Sequence, residues 1–130
     1  MLREYEGKGI IEYKGVSKNM IDVYKNSSCI VLPTYYAEGM SNVLLESCAT
    51  GRPVITTDRS GCREVVENGV NGFLIKQKNT EDLINKIELF LSLPVFERKK
   101  MGIEGRRIVE KKFDRSIVIK KYIQIIKDFE

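Results

Sequence analysis

The strongest constraint on this chain is an alternation of short apolar runs with helical patterns. The runs are Ile10-Ile11-Glu12-Tyr13, Cys29-Ile30-Val31-Leu32-Pro33, Pro53-Val54-Ile55-Thr56-Thr57 and Gly72-Phe73-Leu74-Ile75. Between the first and second, Met20, Ile21 and Tyr24 recur at helical spacing. Between the second and third, Val43, Leu44, Leu45 and Cys48 do the same. Runs that are apolar throughout suit strands covered on both faces, and strand–helix–strand order suits parallel pairing. The expected fold is α/β: a Rossmann-like parallel sheet of about four strands flanked by helices, followed by a helical carboxyl-terminal half.

Local punctuation sharpens this reading. Ser41 and Asn42 are good helix N-caps, Gly51 suits the left-handed position after a helix end, and Pro53 blocks continuation, which places a helix at about 42–50. Thr80 is read as the cap of a helix whose first turn is acidic (Glu81, Asp82) and whose core face is Leu83, Ile84, Ile87 and Leu91. Two further helices are expected at about 95–112 and 115–129, the last carrying Ile119, Tyr122, Ile123 and Ile126.

Composition excludes several classes of function. With 130 residues, 42% hydrophobic and 31% charged, the chain matches one globular unit, read as a single domain over 1–130. It contains no histidine, so Ser-His-Asp hydrolysis, phosphohistidine chemistry and histidine-based zinc sites are ruled out. Cys29, Cys48 and Cys62 are an odd number with no C-x-x-C pair, and read as free thiols, buried or half-buried. No run approaches the roughly 20 apolar residues of a membrane span, and the first residues lack an apolar signal block, so a cytoplasmic location is expected.

The net charge of +4 is unevenly spread. Residues 1–93 carry 11 Lys and Arg against 12 Asp and Glu, whereas residues 94–130 carry 11 against 6. A basic helical end of this kind is compatible with peripheral contact at the inner face of an anionic membrane, although a solvated helix face is the commoner explanation. No nucleic-acid-binding motif accompanies it, so no nucleic-acid partner is expected.

The loop after Leu32 carries the chemistry. In parallel α/β sheets ligands bind beyond the carboxyl ends of the strands, where loops turn into helix amino termini. Here the loop reads Pro33-Thr34-Tyr35-Tyr36-Ala37-Glu38-Gly39-Met40-Ser41-Asn42. Free amides and the helix dipole attract phosphate oxygens, and Gly39 has no Cβ to hold a diphosphate away. Glu46 shares a polar helical stripe with Asn42 and Ala49, and a carboxylate there can accept two hydrogen bonds from a ribose diol. Glu64 is read as a turn or helix cap, Asp58 and Arg59 as either crevice-lining or solvated, and Tyr35 and Tyr36 as covering the core edge or stacking on a sugar.

Taken together, Pro33-Thr34, Glu38-Gly39, Glu46, the run Ala49-Thr50-Gly51-Arg52-Pro53-Val54-Ile55, Gly61, Glu64-Val65-Val66, Gly69 and Gly72-Phe73-Leu74-Ile75 resemble the donor half of retaining GT-B glycosyltransferases, family 4 above all. Glu38 and Glu46 meet that family's E-x7-E signature. The resemblance implies that Glu38 contacts donor-sugar hydroxyls as the catalytic residue and that Glu46 binds the ribose hydroxyls. Gly39, Met40, Ser41 and Asn42 would serve the diphosphate and sugar. It further implies a nucleotide-diphosphate sugar as donor, UDP-linked by preference, no metal or other cofactor, and a place in bacterial capsule or other surface polysaccharide synthesis. On this resemblance the chain is expected to be a truncated GT-B carboxyl-terminal domain, inactive alone, with the acceptor glycan or lipid-linked sugar held by an amino-terminal domain outside it. Starting at the third strand of that domain would leave the Cys29–Leu32 edge bare, so it is expected to pair with Ile10–Tyr13 or with a second chain as a homodimer. A sugar-nucleotide epimerase and a non-catalytic flavodoxin-like interaction module remain as alternatives.

Overall fold

The computed structural model describes residues 1–36 and 39–128, with the side chains of Val118 and Lys121 left aside. In chain order the elements are α1 (Leu2–Gly7), α2 (Met20–Lys25), β1 (Ile30–Leu32), α3 (Asn42–Ala49), β2 (Val54–Thr57), β3 (Gly72–Ile75), α4 (Thr80–Ser92), α5 (Val95–Lys112) and α6 (Arg115–Asp128). The strands form one parallel sheet in the order β1-β2-β3, with Ile30 beside Val54 and Val54 beside Gly72. The expected α/β parallel architecture and its helical carboxyl-terminal half are present.

The sheet has three strands rather than about four. Ile10–Tyr13 forms no strand among the described residues; Ile10 is 64% and Tyr13 68% exposed. The expected pairing of this segment with the β1 edge is therefore absent. A strand is completed by its neighbour's hydrogen bonds, and here the segment is instead tied to α1, with the Tyr13 amide donating to Glu6 at 2.8 Å. α1 itself has no apolar face to bury and no buried residue, which is why periodicity did not reveal it.

β2 is the central strand and is buried throughout. Its side chains alternate between two cores, as the strand period of two requires. Val54 joins Leu44, Cys48, Cys62, Val65 and Val66 on one face, while Ile55 joins Phe73, Ile75, Phe90 and Met101 on the other. α5 serves both, with Met101 in the second core and Val109 against the first. The Cys48 and Cys62 thiols are buried and Cys29 is half-buried, all free, as expected.

The helix ends follow their sequence signals, with one shift. The Ser41 hydroxyl caps α3 by accepting from the Leu44 amide at 3.4 Å. At its other end Gly51 adopts φ +73°, its amide donates to Cys48 and the Arg52 amide to Ser47, closing a Schellman motif. The cap of α4 is Asn79, whose side chain accepts from the Asp82 amide, and Thr80 is the first helical residue. Core faces are narrower than the apolar patterns suggest. Of Met20, Ile21 and Tyr24 only Tyr24 is buried, and in α4 Phe90 is buried where Leu91 is exposed.

Asn71 holds the crossover between β2 and β3 in place. It is fully buried, accepts from the Glu67 amide at 2.7 Å, and donates to the Val65 carbonyl at 3.1 Å and the Cys48 sulfur at 3.6 Å. A buried amide satisfied on both sides fixes its surroundings, because each partner would otherwise lose a hydrogen bond in a dry interior.

Candidate functional site

Because all three strands run parallel, the loops after β1, β2 and β3 emerge at one edge of the sheet. The loop from Pro33 to Ser41 leads into α3. Glu38, the expected sugar-contacting carboxylate, and Ala37 lie outside the described residues. Gly39, Met40 and Asn42 are exposed, and Ser41 is half-buried. Nothing stands within 4 Å of where a Cβ on Gly39 would be, so the backbone there faces open space.

Capping by Ser41 leaves the amides of Asn42 and Val43 without a protein acceptor among the described residues. The Ser41 oxygen accepts from Leu44, and its own proton is free for an incoming acceptor. These donors stand one to two helical turns from Glu46, whose carboxylate is on the exposed face of α3, opposite Leu44, Ser47 and Cys48.

Glu46 is not a free surface carboxylate. Its Oε2 accepts from the hydroxyl of Tyr24 at 2.8 Å. Tyr24, on α2, is only 2% exposed. Burial, and then the adjoining carboxylate, push its phenol up to about 12, so it is a proton donor at neutral pH. The helical pattern placed Tyr24 on a core face and did not single it out as part of a site; a tyrosine at the inner edge of an amphipathic face is the signal that carried it.

The neighbouring loops add aromatic and cationic groups. Tyr35 and Tyr36 stack at 4.4 Å and share a hydroxyl–hydroxyl contact at 3.2 Å, which with slight burial raises the Tyr35 phenol. They are exposed rather than covering the core edge. The Lys78 ammonium, from the loop after β3, lies 4.9 Å from the Tyr35 ring centre. In the loop after β2, Asp58 is exposed and pairs with Arg63 at 3.2 Å. Arg59 is half-buried, and its Nη1 is buried without a hydrogen-bond partner among the described residues. Glu64 starts no helix; it closes a turn by accepting from the Gly61 amide at 2.6 Å.

A groove of about 870 Å³ lies elsewhere, at the amino ends of the strands, lined by Ser28 and Pro53, the end of α3 and several α5 side chains. Three of its arginines are engaged with helix carboxyl termini, and Arg107 pairs with Glu104 at 2.7 Å. Arg52 donates to the carbonyls of Tyr24 and Lys25, Arg106 to Ala49, and Arg98 to Leu91 and Leu93. Carbonyls at helix ends have no partner within the helix and carry negative dipole charge, so these contacts explain Arg52, Arg98 and Arg106 without any ligand.

Comparison with known proteins identifies the family. Residues 3–108 match the family model described as glycosyl transferases group 1. The chain is 28% identical over 123 residues to the N,N'-diacetylbacillosaminyl-diphospho-undecaprenol alpha-1,3-N-acetylgalactosaminyltransferase of Campylobacter jejuni, covering 94% of this chain and 32% of that protein. It is 34% identical over 113 residues to the capsular polysaccharide biosynthesis glycosyltransferase CapM of Staphylococcus aureus, covering 87% and 29%. Among solved structures, the glycosyltransferase from Rickettsia africae superposes with a TM-score of 0.86 at 25% identity, over 98% of this chain and 34% of that one. HepE of Anabaena, solved in complex with UDP, gives 0.86 at 18% identity over 98% and 35%. The chain thus spans about a third of the length of these relatives, and it superposes on GT-B structures almost end to end. On the match over residues 3–108, the chain belongs to the glycosyl transferases group 1 family.

Proposed function

We propose that this chain is the donor-binding part of a retaining glycosyltransferase that uses a nucleotide-diphosphate sugar, UDP-linked by preference, in bacterial surface polysaccharide synthesis. The observation that carries the reading is Glu46, an exposed carboxylate held by a buried phenol within two turns of an open helix amino terminus. A nucleoside diphosphate has the matching groups: an anion for the amides of Asn42 and Val43 and the Ser41 hydroxyl, and a vicinal diol for the carboxylate. HepE supports the nucleotide, since it was solved with UDP on the same fold. CapM supports the setting in surface polysaccharide synthesis.

In this reading Glu38 contacts the donor sugar, Gly39 and Met40 bring the backbone alongside the diphosphate, and Glu46 binds the ribose. Charge developing on the departing nucleotide is stabilised by amides already oriented before reaction, which costs no reorganisation at the moment of transfer. No metal or other cofactor is assigned a part. The acceptor, a glycan or lipid-linked sugar, is positioned by protein outside this chain, so transfer needs the longer enzyme.

Calorimetric or NMR titration of UDP and UDP-sugars tests the proposal. Weak saturable binding is expected, and Glu46→Ala should weaken it on the order of tenfold or more, as expected for losing charge-assisted hydrogen bonds. Binding indifferent to Glu46→Ala, or none at millimolar ligand, would refute it.

A further inference from the structure

We infer that Tyr24 is a positioning residue for nucleotide binding: its buried hydroxyl holds the Glu46 carboxylate in the orientation that receives the ribose diol. The inference rests on the reading of Glu46 given above.

Three observations carry it. The first is that Tyr24 is the one buried residue of α2, where Met20 and Ile21 are exposed and Val23 is half-buried. The second is that the residue is fixed at both ends. Its carbonyl accepts from Arg52 Nε at 2.8 Å and its hydroxyl donates to Glu46 at 2.8 Å, so the ring links the end of α2 to α3. Arg52 directly follows the Gly51 turn that ends α3, so the link closes on the helix that carries Glu46. The third is stoichiometric. A carboxylate has about four acceptor sites, and Tyr24 takes one on Oε2, leaving enough for two ribose hydroxyls.

A glutamate on an open helix face samples several rotamers, and a ligand that requires one of them must order it on binding. Ordering a side chain of this kind costs roughly 0.5–1.5 kcal/mol, or about 3- to 10-fold in affinity. Tyr24 meets that cost during folding, so the free protein already presents the bound arrangement of Glu46. Its proton stays on the phenol at any physiological pH, so the contact persists when ligand arrives.

The test compares UDP with 2′,3′-dideoxy-UDP on the unaltered chain, Tyr24→Phe, Glu46→Gln and the double variant, with amide spectra confirming the fold. Tyr24→Phe should weaken UDP about 3- to 10-fold and leave the dideoxy analogue nearly unchanged, and the double variant should bind UDP no worse than Glu46→Gln. In the unaltered chain, Tyr24 ring signals should shift with UDP and not with the analogue. Equal weakening of both ligands, or additivity with Glu46→Gln, would mean a merely structural tyrosine and overturn the inference. If Glu46→Gln weakens UDP while Tyr24→Phe does not, Tyr24 alone is misread. If Glu46→Gln has no effect, the ribose assignment falls and takes this inference with it.

Discussion

Asn71 shows how much of this structure depends on single polar side chains that pattern reading passes over. It lies beside Gly72, at the start of a run recognised only for its apolar residues, yet its side-chain amide joins the crossover to Cys48 of α3, and its backbone carbonyl accepts from the amide of Val54, the first residue of β2. Replacing it by leucine would leave the buried Val65 carbonyl and the part-buried Glu67 amide without their partner, and should cost about 2–3 kcal/mol, read as a lowered thermal midpoint. The candidate site divides in the same way. Glu46, Ser41 and the glycine loop were legible because caps, glycines and carboxylate spacing have local causes. The partner of Glu46 was not, because a hydrogen bond between residues 24 and 46 exists only once α2 and α3 are packed.

Elements were legible where sequence alone sets their limits. α3 and α5 begin and end within a residue or so of expectation, and Ser41, Gly51 and Pro53 bound the first. Ile10–Tyr13 has the composition of a strand but no pairing partner among the described residues, and composition cannot supply one. The contact of α3 with α5 was likewise invisible. Gly102 lets α5 approach the turn after α3, and a Cβ there would sit 2.1 Å from the Gly51 carbonyl oxygen. Both sides of that clash are backbone, so neither helix yields without a shift. Gly102→Ala should therefore destabilise the chain by about 1–3 kcal/mol, seen as a lower urea midpoint at unchanged slope.

For the molecule as a whole, the alternation of strand and helix was enough to foresee the parallel sheet, the spaced motif from Pro33 to Ile75 carried the family, and the strand count depended on pairing. Its response to alkali follows from its thiols and Tyr24. Burial holds Cys29 and Cys48 up to about 11 from an ordinary 9.0, and Tyr24 up to about 12 from 10.0. Unfolding returns these groups to their ordinary values, so as pH rises the unfolded chain loses its protons first. Their contribution to stability is intact below about pH 9 and is lost as pH climbs through 9 to 12; thermal midpoints measured across that range should be level and then fall. The arginines that tie down the helix ends at the amino edge of the sheet have a different consequence. They tie three helix ends together at one end of the sheet, whereas at the other the surroundings of Gly39 are open. Damage should therefore be felt unequally at the two ends: Arg106→Ala, which frees the Ala49 carbonyl, should lower the thermal midpoint, whereas Gly39→Ala should leave it nearly level.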